Sequence, residues 1–168
     1  MTQTIRILHI IGLVGAGKTT FIERYLAKYP VFDIKRVYHE SNFTPQDIKD
    51  PAKYGQFASA IRFHLTNAIE SIKKSEGEYL IIESSGINQT INAFVTAYDR
   101  LTLWIQSKYH LKAVKYREYA ANLNRAIINA LDRGTIRYDL VFDWSRKSFL
   151  DHMPAIYGAL FPDEIKEG

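Results

Sequence analysis

The 168-residue sequence contains no cysteine. That excludes a disulfide framework and a zinc site built on thiolates, and it agrees with a reducing compartment. It also lacks an apolar run approaching the ~18 residues of a membrane span. Its first residues do not show the basic stretch, apolar segment and small-residue cleavage site of a secretion signal. There is no internal repeat, low-complexity tract or linker-like stretch. A soluble, cytoplasmic protein without a membrane partner is expected, folded as one domain over residues 1–168. Charge of one sign is not in large excess: the net charge is +4 and the isoelectric point about 9.2. A modest basic balance suits a protein that handles phosphates or nucleic acid, and equally a solvated surface with a few spare lysines. Hydrophobic residues make up 46% of the chain, enough for a substantial core, and charged residues 24%, near the globular average.

What the sequence does have is alternation. Ile5 to Ile11 is short, apolar and β-branched, and Gly12 ends it, so it reads as a buried strand. Lys18 to Tyr29 carries Phe21, Ile22, Tyr25 and Leu26 at helical spacing, with Pro30 beyond. Ile34 to His39 is the second strand candidate, followed by a polar, two-proline loop over Asn42 to Pro51. Tyr54 to Lys74 places Phe57, Ile61, Leu65, Ile69 and Ile72 on one helical face. Tyr79 to Glu83 is a third strand and Leu101 to Ile105 a fourth, with a helix around Ile91 to Tyr98 between them. A helix over Arg117 to Arg133, a fifth strand at Leu140 to Phe142 and a helix near Phe149 to Leu160 complete the reading. Strands alternating with helices imply an α/β fold: a five-stranded parallel sheet covered on both faces, a three-layer sandwich.

The most specific signal lies between the first strand and the first helix. Gly12, Gly17, Lys18 and Thr19 satisfy G-x-x-x-x-G-K-[ST] in its required setting. Gly12, Gly15 and Gly17 let the main chain turn and approach a polyphosphate closely. The amides over Gly12, Val14, Gly15, Ala16, Gly17, Lys18, Thr19 and Thr20, at a helix N-terminus, offer a nest for anions. Lys18 is expected to reach the outer phosphates, Thr19 to ligate Mg²⁺ and Thr20 to contact the inner phosphate. A second anchor is Glu83, ending an apolar strand. Ligands of open parallel sheets bind beyond the carboxyl ends of the strands, where a carboxylate can hold the water shell of Mg²⁺. As a bare strand-end carboxylate, Glu83 would only cap the next helix.

GLVGAGKTT followed by YLIIESSG resembles the P-loop NTPase superfamily, in two of its branches. One is the small P-loop kinases acting on nucleosides, nucleotides and other hydroxyl acceptors. The other is the GTPases of the signal-recognition and metal-insertion type, which show a similar strand ending in Glu. The resemblance rests on residues 5–25 and 78–87. Those GTPases read guanine with an Asn/Thr-Lys-x-Asp motif after a late strand, and Leu140-Val-Phe-Asp-Trp-Ser-Arg-Lys147 does not contain it. Partitioning-type ATPases carry an extra lysine early in the loop, where this chain has Leu13 and Val14. YDLVFDWS is similar to the last strand of small nucleotide kinases, which packs beside the adenine. The resemblance therefore implies an ATP- and Mg²⁺-dependent kinase, with a GTP-binding accessory protein as the alternative.

In such kinases a carboxylate at the end of the second strand orients the acceptor hydroxyl. His39-Glu40-Ser41-Asn42 occupies that place in the sequence-based reading, so Glu40 joins Lys18 and Glu83 as an expected catalytic group; otherwise it is a surface turn residue. Cations over the transferred phosphoryl group are expected from Lys108, Lys112, Lys115 and Arg117, in a lid without the Arg-x-x-x-Arg spacing of nucleoside monophosphate kinases. The same stretch interleaves Tyr109 and Tyr116, a composition that suits single-stranded nucleic acid. The acceptor is thus left as a nucleoside, a nucleotide or a nucleic-acid hydroxyl, including a modified base in DNA. Tyr54, Phe57, Arg62 and His64, near the helix after the second strand, mark either an acceptor pocket or simply the core.

Overall fold

A computed structural model describes residues 4–44, 47, 50–107, 117–145 and 149–161; for residues 117–119 and 149–152 it describes the main chain alone. Five strands form one sheet: β1 (Arg6–Gly12), β2 (Val31–Asp33), β3 (Tyr79–Glu83), β4 (Asp99–Gln106) and β5 (Leu140–Asp143). Their order is β2-β3-β1-β4-β5, and every pairing is parallel. Among the described residues six helices accompany them: α1 (Lys18–Tyr25), α2 (Ile34–Glu40), α3 (Pro51–Lys74), α4 (Gln89–Val95), α5 (Arg117–Asp132) and α6 (Phe149–Leu160).

The side-chain alternation of the central strands divides the core. Leu8 and Ile10 of β1, Tyr79 and Ile81 of β3, and Leu103 and Ile105 of β4 pack with Phe21, Ile22 and Ile156 under α1 and α6. On the other face, Ile7, Leu80 and Ile82 meet Phe57, Ile61, Leu65 and Ile69 of α3 and Ile91 of α4. Ile11 and Trp104 of that same face meet Ile127 of α5 and Ile136. These are the three layers expected from the alternation of elements. Burial of strands on both faces explains why they read as continuous apolar runs.

The second strand differs from expectation. β2 is only Val31–Asp33, and Ile34 to Glu40 is a helix. The main chain turns because the Asp33 carboxylate accepts from the Lys35 amide at 3.0 Å, an N-cap. Ile34, Val37 and Tyr38 recur at helical spacing, with Val37 buried, and Arg36 pairs with Glu40 one turn on at 2.8 Å. The helix α3 also starts earlier than expected, at Pro51. Proline is preorganised for a first helical position, and Asp50 caps it by accepting from Ala52 N at 3.0 Å.

Candidate active site

The phosphate loop begins where β1 runs out beside β4. Gly12 pairs with Ile105, and a Cβ on Gly12 would lie 2.6 Å from the Ile105 carbonyl oxygen. The loop closes at Gly17, whose φ of +90° a side chain would strain, and whose added Cβ would stand 2.6 Å from Trp144 Nε1. From there α1 starts with no side-chain cap. Among the described residues, none accepts a hydrogen bond from the amides of Gly15, Gly17, Lys18, Thr19 or Thr20. A row of donors at a helix N-terminus, without protein acceptors, is what a polyphosphate requires.

Two amides of the expected nest are committed elsewhere. Ala16 donates to the Leu13 carbonyl at 3.1 Å. Val14 donates to Asn124 Oδ1 at 2.7 Å, and Asn124 Nδ2 donates back to the Val14 carbonyl at 3.3 Å. Val14 and Ala16 therefore shape the loop instead of offering it donors. Asn124 lies on α5 and is only 4% exposed. Sequence reasoning missed it because an asparagine inside an amphipathic helix carries no spacing signal; only the docking of α5 against the loop gives it a partner.

Removing this clamp leaves a partly buried N–H and C=O without their partners, a cost of about 1–3 kcal/mol. The expected outcome for Asn124→Ala is a correspondingly lower unfolding free energy and a nucleotide affinity about tenfold weaker. Chemical denaturation and calorimetric titration measure the two. Unchanged affinity in a stably folded variant would show that the clamp does not set the loop.

Lys18 Nζ donates to the carbonyls of Gly12 at 3.0 Å and Leu13 at 2.8 Å, so the ammonium is held over the loop. Burial lowers its pKa to about 8, opposed chiefly by the negative charge of Glu83. Thr19 Oγ1 donates to Glu83 Oε1 at 2.7 Å. Glu83 is 7% exposed, and burial pushes its carboxyl up, against the pull of the Thr19 hydroxyl. Thr19 and Glu83 thus present two hydrogen-bonded oxygens side by side. Among the described residues there is no cluster of three or more metal-ligating side chains. One hydroxyl and one or two carboxylates suit Mg²⁺, which keeps waters and shares its shell with phosphates instead of filling a protein cage.

Asp33 is the carboxylate at the end of the second strand. It lies in register with Glu83, and its charge acts on both Lys18 and Glu83. Glu40, expected in this role, sits seven residues further on at the end of α2. It is exposed, bonded to Arg36 at 2.8 Å and paired with His64 at 3.4 Å. The groups that lower its pKa are Arg36, then His64 and His39; none belongs to the phosphate loop. Of the three groups expected together, Glu83 and the loop are joined through Thr19, whereas Glu40 pairs elsewhere at the end of the helix that the Asp33 cap starts. Of the expected lid cations, Lys108, Lys112 and Lys115 lie outside the described residues, with Tyr109 and Tyr116, as does the side chain of Arg117. Phe57 is core, stacked on Tyr38 at 4.8 Å between ring centroids, whereas Tyr54 is exposed.

Trp144 follows β5 and lies against the loop. It meets Phe142 edge-on at 4.8 Å, and the Arg24 guanidinium sits 5.5 Å from its ring centroid.

No protein-family model matches the chain, and no curated protein matches it. Solved structures do. A Thermus thermophilus protein designated TT1252 aligns over 95% of this chain and 98% of its own, with a TM-score of 0.64 at 16% identity. Shikimate kinase from Bacteroides thetaiotaomicron aligns over 94% and 98%, with 0.57 at 17%. Dephospho-CoA kinase from Campylobacter jejuni aligns over 92% and 98%, with 0.57 at 10%. The fold is that of the small P-loop kinases. Within the P-loop kinase fold, the crevice between β3, β1 and β4 is the place where strand order reverses, and Asp33, Glu83 and the loop all stand at its carboxyl edge. Among the described residues, no helix is long and apolar enough to cross a membrane.

Proposed function

We propose that this protein is an ATP-dependent phosphotransferase that moves the γ-phosphoryl group to a hydroxyl of a small molecule, nucleoside, nucleotide or nucleic-acid end. The observation that carries this reading is the carboxylate of Asp33. It lies in register with Glu83 and its charge acts on Lys18, where an NTP-binding switch has no need of a second acidic strand end. The amides of Gly15 and of Gly17 to Thr20 hold the triphosphate, and the Lys18 ammonium neutralises its outer oxygens. Thr19 and Glu83 would hold Mg²⁺, which would supply charge neutralisation to the triphosphate. Asp33 accepts the proton of the acceptor hydroxyl as its oxygen bonds to the γ-phosphorus and the bond to the nucleoside diphosphate breaks. Trp144, beside Gly17, stands where the purine side of the nucleotide would pass.

The test is a transfer screen with γ-labelled ATP against nucleosides, nucleotides, oligonucleotides and small hydroxy acids. Label is expected on one acceptor class, with turnover that depends on its presence. Preference for GTP, with slow hydrolysis indifferent to every acceptor, would overturn the proposal in favour of a nucleotide-switched accessory protein.

A further inference from the structure

A cavity of about 200 Å³ opens on the face of the sheet away from α1, between the cluster under α3 and α4 and the cluster under α5. Its lining includes His9, Asn92, Arg100, Thr102, Thr135 and Arg137, and no carboxylate. The space holds on the order of six or seven waters, enough for a small ligand.

The two ends of this cavity differ. Arg100 pairs with Ile7 near the start of the sheet, and Arg137 lies just before β5, so both guanidiniums stand toward the amino edge of the strands. The phosphate loop is at the opposite edge. Arg100 and Arg137 are exposed, and neither makes an ion pair with a described residue. The neighbouring acids are committed elsewhere: Asp99 to Arg6 at 3.4 Å, and Asp139 to the Thr102 amide at 2.8 Å.

The floor is polar where a sheet face is usually apolar. His9 is 4% exposed and Thr102 8%, and the two are register partners on β1 and β4. Burial and the Arg100 charge lower the His9 pKa to about 4, so its ring is neutral. Its Nε2 lies 2.6 Å from Ser84 Oγ, which also accepts from the Gly86 amide at 3.1 Å. The neutral ring and the hydroxyl share one hydrogen along this bond, and which of them donates follows the ring tautomer. A buried imidazole and hydroxyl at the base of a cavity, under two guanidiniums that pair with no described carboxylate, make the pocket polar and cationic.

We propose that this cavity is a second binding site, separate from the phosphate loop, for a small anion bearing a phosphoryl or carboxylate group. Arg100 and Arg137 clamp the charged group at the mouth, and guanidiniums suit both chemistries because their paired N–H groups match two oxygens. Thr102 and His9 receive the remainder of the molecule. The lining residues are spread over β1, β4, α4 and the α5–β5 turn, so an occupant would tie these elements together.

The experiment is an amide-shift titration of the full chain by heteronuclear NMR, once with inorganic phosphate and once with malonate. Phosphate is expected to shift two separate groups of amides: those of the loop from Gly15 to Thr20, and those of Gly86, Thr102 and Ile136. In the Arg100→Gln/Arg137→Gln double variant the second group is expected to respond at least about tenfold more weakly, while the loop amides respond as in the wild type. The substitutions alter exposed side chains, and the unperturbed amides report whether the fold is intact. Movement of the cavity amides with only one probe identifies the ligand as phosphoryl or as carboxylate, and either result supports the site. Cavity amides that stay still with both probes, or that shift equally in wild type and variant, would sink it. The loop amides are read in the same spectra, so a failure of the phosphate-loop reading is seen independently.

Discussion

Lys18→Ala protein is expected to bind magnesium-ATP about a hundredfold to a thousandfold more weakly and to lose phosphoryl transfer. The ammonium is held over the loop by the Gly12 and Leu13 carbonyls. Without it, the anionic tail loses a charge partner fixed in place. Its lowered pKa adds a pH signature. Below about 8 the side chain of the free protein already carries its proton, and affinity for ATP is flat. Above that value the free protein has lost the proton and must regain it on binding, because triphosphate favours the charged form. Affinity therefore falls as pH rises, by up to about tenfold per pH unit. Calorimetric titrations across this range measure it, and the slope should be absent in Lys18→Ala. A wild-type affinity independent of pH through this window would remove Lys18 from direct contact with the phosphates.

Asp33→Asn protein is expected to transfer phosphate about a hundredfold to ten-thousandfold more slowly while still binding ATP. Asparagine is as good an N-cap as aspartate, so α2 should start where it does now, and only the charge is removed. That charge also raises the pKa of Lys18, so the alkaline fall in ATP affinity should begin at lower pH in the variant. A purely structural role for Asp33, kept by the asparagine cap, would leave the transfer rate unchanged. Glu40→Gln is the contrast: an exposed residue paired with Arg36 and His64 should change transfer by less than about twofold. Slow transfer in Glu40→Gln together with normal transfer in Asp33→Asn would restore the assignment read from the sequence.

The second strand, which ends at Asp33 and not near Glu40, shows where sequence reasoning ran out. Ile34 to His39 contains β-branched and aromatic residues, and in isolation they read as a strand. Two local devices decide otherwise, the Asp33 cap and the Arg36–Glu40 pair, but each is weak, and neither has a period that a short window can resolve. By contrast, β3 was legible to its last residue. Tyr79 to Glu83 is buried on both faces and its composition has no competing reading. The helix α6 was legible too, since its apolar residues recur over three turns.

Asn124 and the His9 cavity were beyond sequence reasoning for another reason. Asn124 is 110 residues from Val14, and His9 is 75 from Ser84. A histidine in an apolar strand and an asparagine in a helix each have many satisfied environments, and nothing local selects among them.

The alternation of buried strands and amphipathic helices, the parallel sheet they entail and the phosphate loop after β1 were determined by the sequence alone. Each depends on neighbours within a few residues, and on backbone conformations that particular side chains permit or forbid. The carboxylates whose charges act on Lys18, the amides left over for an anion, the clamp on Val14 and the cationic cavity on the far side of the sheet were decided only by the tertiary structure. These depend on which chain segments come to lie side by side, and hydrogen bonds and charges act over a few ångströms of space, not over positions along the chain.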